Sequence, residues 1–79
     1  MNLTKTVFEK HIELARQRVR ELETLSRKQR ALVDDLTRNG WVSYEAERAL
    51  AEAETALAER RNHLEYLLRT APDRGTGRS

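Results

Sequence analysis

One Asn39-Gly40 step separates two long stretches in which apolar residues recur at helical spacing. Asn and Gly accept left-handed backbone more readily than other residues, so the pair ends a helix rather than continuing it. Before it, the stripe reads Phe8, Ile12, Ala15, Val19, Leu22, Ser26, Gln29, Val33 and Leu36. Its steps alternate between four and three, which is a heptad seam. Leu25 and Leu32 widen the seam on one flank, as a helix inside a bundle requires. After the step, Leu50, Leu57 and Leu64 recur every seven residues. Ala46, Ala53, Arg60 and Leu67 fall between them, and Ala49 and Ala56 lie on the adjoining flank. Only a tight turn fits between the stretches. The expected fold class is therefore all-α: an antiparallel helical hairpin with helices over about 4–38 and 43–70 and a turn at 39–42. Nothing alternates with period two, so no strand is expected.

Local signals set the ends. Thr6-Val7-Phe8-Glu9 reads as a capping box for the first helix, with Asn2 or Thr4 as alternative caps. Arg38 complements the negative end of the helix dipole. Gly40 as the residue just past the cap makes Leu36 and Trp41 the pair that commonly touch in a Schellman motif. Trp41 and Tyr44 are either a plug at the turn or an exposed contact, and that neighbour favours packing for Trp41. Ser43 is the expected cap of the second helix, with Glu45 and Glu47 complementing its dipole. Ala71-Pro72 should stop this helix. Residues 72–79 are polar and Gly-rich, and a disordered tail is expected there.

Seventy-nine residues make at most one domain, and a chain this short builds only a small core. It has no Cys, so no disulfide supplements that core, and a reducing compartment fits. Two helices side by side bury one stripe each and leave their flanks wet. Packing two hairpins together would bury the flanks, so a homodimer forming a four-helix bundle is expected. Its interface would draw on Leu22, Leu25, Leu32, Leu50, Leu57, Leu64 and Leu68. Ser26, Gln29 and Arg60 interrupt the seam and would form a polar layer that fixes register.

The net charge of +2 comes from 15 basic and 13 acidic residues. So small an excess does not by itself imply nucleic acid. Arg16, Arg18, Arg20, Arg27, Lys28 and Arg30 lie on the first helix, and Glu52, Glu54, Glu59 and Glu65 on the second. Folding about Gly40 should bring residue i near about 80 minus i and set these blocks side by side. No apolar run approaches the roughly 20 residues of a membrane span. The first ten residues lack an apolar signal core, so a cytoplasmic location without membrane contact is expected.

No catalytic, cofactor or metal motif stands out. On the expected register His11 lies nearer Thr70 than His63, so a shared histidine site is not expected. Neither histidine belongs to a Glu-x-x-His pair. Asp34-Asp35 and Glu45/Glu47 flank the turn, but acid–base chemistry needs a pocket that a two-helix hairpin lacks. The chain is therefore expected not to be an enzyme. It reads as a helical interaction or regulatory module with itself and a protein as partners. The alternative is a small dimeric hairpin that binds RNA or DNA through Arg16, Arg20 and Arg27. Against it, Glu13, Glu21 and Glu23 interleave with these arginines, and no aromatics stand among them for stacking. The plasmid copy-control Rop protein is such a hairpin, similar in architecture and without a shared motif.

The run Gln29-Arg30-Ala31-Leu32-Val33-Asp34-Asp35-Leu36, then Gly40, then Glu45-Ala46-Glu47-Arg48-Ala49-Leu50, resembles small helical proteins of alphaproteobacteria. They share a Gln-Arg-x-x-Val/Ile-x-x-Leu segment, a Gly turn, and an Ala-Glu-x-x-Leu second helix ending near a His. The resemblance covers about His11 to Leu68. It implies a helical hairpin and assigns no activity. Trp41-Val42-Ser43 departs from the more polar turn of that group.

Overall fold

A computed structural model describes residues 3–70, with side chains from Thr6 onward. The chain forms two helices, α1 over Leu3–Arg38 and α2 over Tyr44–Thr70, packed antiparallel as a hairpin. It is 59 Å long and 20 × 14 Å across, two helices wide and one helix thick. The expected stop at Ala71-Pro72 and the tail over 72–79 lie outside the described residues, as does Asn2.

α1 starts within a residue of the expected position, but not at the expected capping box. The helix has already begun at Leu3, so Thr4 and Thr6 lie inside it and neither is its cap. A capping-box pattern marks a helix start only where the preceding backbone leaves the helix, and here it does not.

The turn follows the Schellman pattern. The Trp41 amide donates to the Leu36 carbonyl at 2.8 Å and the Gly40 amide to the Thr37 carbonyl at 3.0 Å. Gly40 has φ +79°, and no other residue with positive φ is found among those described. The Asn39 amide and Nδ2 both reach the Asp35 carbonyl, at 3.1 and 2.8 Å, closing the last turn. Ser43 caps α2: its Oγ accepts from the Ala46 amide at 3.1 Å. The Trp41 side chain, however, does not plug the turn. It is 68% exposed, and Val42 and Tyr44 are exposed beside it. The motif fixes the backbone through two hydrogen bonds, and nothing stands over the indole because each helix has ended.

All nine positions of the α1 seam are buried or half-buried. On α2 the buried set is Ala46, Leu50, Ala53, Leu57 and Leu67, with Leu64 half-buried. Arg60, the polar position of that stripe, is exposed, as a long side chain with a charged tip permits. Ala46 and Ala53 present small side chains that let the helices approach closely. No side chain among the described residues falls below 2% exposure, so the seam is shielded but nowhere sealed. That is the expected limit for two helices alone, since each stripe is covered from one direction only.

Two cross-helix ion pairs fix the register. Arg30 pairs with Glu54, and Arg61 with Glu23 at 3.0 Å. In both pairs the residue numbers add to 84, not 80. The mirror point is residue 42, because Trp41, Val42 and Ser43 belong to the connection as well as Asn39 and Gly40. The expected match of basic α1 against acidic α2 holds for Arg30–Glu54 and is reversed for Glu23–Arg61. The remaining ion pairs among the described residues, Arg18–Glu21, Arg38–Asp35 and Arg69–Glu65, lie within one helix.

Candidate partner-docking face

The hairpin has two unlike sides. Glu23 and Arg30 are seven residues apart on α1, and Glu54 and Arg61 are seven apart on α2. Both rungs therefore close the same side. Leu25 and Leu32 each follow a rung residue by two positions, which is about 200° around the helix. They lie on the opposite side and are 42% and 47% exposed. Leu14 stands eleven residues before Leu25, about three turns, so it continues the same stripe, and it is 64% exposed. On α2, Ala56 follows Glu54 by two positions, and Glu52 and Glu59 precede Glu54 and Arg61 by two, which also turns them to the side away from the rungs. One side is thus held by ion pairs, and the other offers exposed leucines along α1 beside the half-buried Ala49 and Ala56 of α2.

The leucines expected at a dimer interface divide among three environments. Leu50 and Leu57 are buried in the hairpin's own seam, at 9% and 7% exposure, and have little surface left for a partner. Leu22 and Leu64 are half-buried there. Leu68 is half-buried and stands one heptad beyond Arg61, on the ion-paired side, so it does not share a face with Leu25 and Leu32. Leu14 is not among the leucines expected at the interface. Its spacing from Leu25 was the available signal, hidden because the stripe breaks at Arg18 and Glu21.

Toward the open end the apolar side deepens into a groove of about 260 Å³ lined by His11, Leu14, Arg18, Glu21, Arg60 and His63. Both histidines line it, but on the register about residue 42 His63 is level with Glu21, ten residues along α1 from His11. The groove runs along the hairpin and so takes in residues that are not level with each other. Gln17 and Arg18 reach Glu21 within α1, at 3.2 and 3.9 Å. No group of three or more His, Cys, Asp or Glu able to hold a metal is found among the described residues.

Arg16, Arg20 and Arg27 share the outward face of α1 and are exposed. Arg27 donates to the Thr24 hydroxyl at 3.4 Å, while Arg16 and Arg20 have no ion pair among the described residues. Glu23 lies on the edge of this face, drawn toward Arg61. No helix of the described residues is long and apolar enough to cross a membrane. Comparison with protein-family models, curated proteins and solved structures finds no match.

Proposed function

We propose that this protein is a non-enzymatic helical interaction module whose working surface is the side carrying Leu14, Leu25 and Leu32. One observation carries the reading. Three leucines lie in a single stripe, exposed by 42–64%, on the side that the ion pairs leave open. Leucines scattered singly on a surface need no explanation, but an aligned row beside a row of alanines has the form of a helix-packing face. Covering a half-exposed leucine recovers on the order of 1 kcal/mol.

The test compares wild type with a Leu25→Glu, Leu32→Glu double variant, by sedimentation equilibrium and by capture of binding proteins. Wild type should self-associate or capture a protein, and the variant should lose this while circular dichroism stays helical. A wild-type chain that sediments as a monomer and captures nothing would refute the reading.

A second reading rests on Arg16 and Arg20, which share a face with Arg27 and have no ion pair among the described residues. A nucleic-acid hairpin would use them as phosphate contacts, and its affinity would fall steeply with salt. Unchanged migration of RNA and duplex DNA at low salt would eliminate it.

A further inference from the structure

The charges along the apolar side discriminate between occupants and between orientations. The α2 edge carries Glu45, Glu52 and Glu59 at strict seven-residue spacing. The α1 edge carries Lys28, three residues after Leu25 and four before Leu32. None of the four has an ion pair among the described residues. A partner that fits must bring apolar knobs with a cation to the α2 edge, and a carboxylate to Lys28. The chain carries both sets itself.

We propose that the occupant of this side is a second copy of the chain, bound with both turns at the same end, so that α1 of each copy lies along α2 of the other. This rests on the reading of the apolar side as an interaction surface. A two-fold axis parallel to the helices leaves heights unchanged, so the register of the hairpin carries over to the interface. Leu25 and Leu32 come level with the partner's Glu59 and Glu52, and Lys28 comes level with the partner's Ala56. The two leucines straddle an alanine, whose small side chain leaves a hole for them. Lys28 stands between two carboxylates.

The other two-fold, perpendicular to the helices and centred on the same leucines, stacks α1 on α1 and α2 on α2. It sets Glu52 against the partner's Glu59, twice, and Lys28 beside the partner's Lys28. Like charges facing across an interface select against that arrangement.

The absence of cysteine makes the test direct. Glu9→Cys places one nitroxide per copy at the open end, on an exposed residue of α1. With the turns at the same end, the two labels lie within about 30 Å, because neighbouring helix axes are 8–10 Å apart. With the turns at opposite ends, they lie about 60 Å apart at 1.5 Å per residue. Lys28→Glu should weaken association by roughly threefold to tenfold, and adding Glu52→Lys in the same chain should restore it. Lys10→Cys repeats the distance measurement if Glu9→Cys lowers helicity.

A short distance with charge-swap rescue supports the proposal. A distance near 60 Å overturns it and leaves the interaction reading standing. A helical monomer at the highest soluble concentration also overturns it, and the interaction reading is then decided separately by capture of another protein.

Discussion

Replacing Gly40 isolates the energetics of the turn from everything else in the hairpin. Its φ of +79° lies in the left-handed region, and a Cβ built there meets nothing within 4 Å. The effect of Gly40→Ala is therefore a backbone effect without a clash. Left-handed backbone costs a residue with a side chain about 1–2 kcal/mol. The reduced freedom of the unfolded chain returns about 0.4–1 kcal/mol. The net loss is about 1 kcal/mol, which lowers the melting temperature of a chain this size by about 4–8 °C. Circular dichroism melts at one fixed protein concentration measure it, because any association shifts the midpoint. D-alanine at the same position provides the decisive control. It prefers positive φ, meets the same empty space, and should stabilise the hairpin by about 0.4–1 kcal/mol. Equal effects of the two enantiomers would refute the left-handed turn. A loss above about 3 kcal/mol with L-alanine would require a steric contact that the structure does not contain.

Other perturbations separate the remaining forces. Ser43→Ala removes the acceptor for the Ala46 amide and should cost about 1 kcal/mol in urea unfolding, whereas Ser43→Asp should retain most of the stability. Leu57→Ala empties a buried seam position and should cost about 2–4 kcal/mol, enough to unfold a dilute sample, while Leu25→Ala should cost far less in a monomer. A double-mutant cycle on Glu23 and Arg61 should give a coupling of about 0.2–1 kcal/mol that shrinks as salt rises, since both side chains are substantially exposed.

Most of the fold was legible because each signal was local or periodic. The four-three spacing from Phe8 to Leu36 named every shielded position of α1 except Glu23, which its pairing with Arg61 half-covers, and Asn39-Gly40 with Ser43 named both helix ends at the turn. The misreadings arose where a short pattern depended on three-dimensional context. The number of residues absorbed by the connection set the register, and counting from Gly40 alone misplaced it by four. Thr6-Val7-Phe8-Glu9 met the capping pattern, yet the helix had already begun. Leucine spacing alone could not say which leucines the hairpin would keep for itself. Leu50 and Leu57 went into the seam by helical phase while Leu25 and Leu32 stayed on a flank, and the two ion-pair rungs, on the other flank, leave that side open.

The mirror about residue 42 also orders the assembly of the hairpin in time. Sequence separation between facing residues grows steadily with distance from the turn, from Leu36 facing the start of α2 to residues near Leu14 facing its end. Closing a longer loop costs more entropy, so the pairs nearest Gly40 meet first and the helices zip outward. Pulse-labelled amide exchange should show protection around Val33 and Leu50 before it appears around Val19 and Leu67. Leu25, Leu32, Ala49 and Ala56 all belong to the half that closes early. The stretch of the leucine face around Leu25 and Leu32 is thus complete while the open end, with Leu14, is still apart, and fraying there leaves that stretch intact.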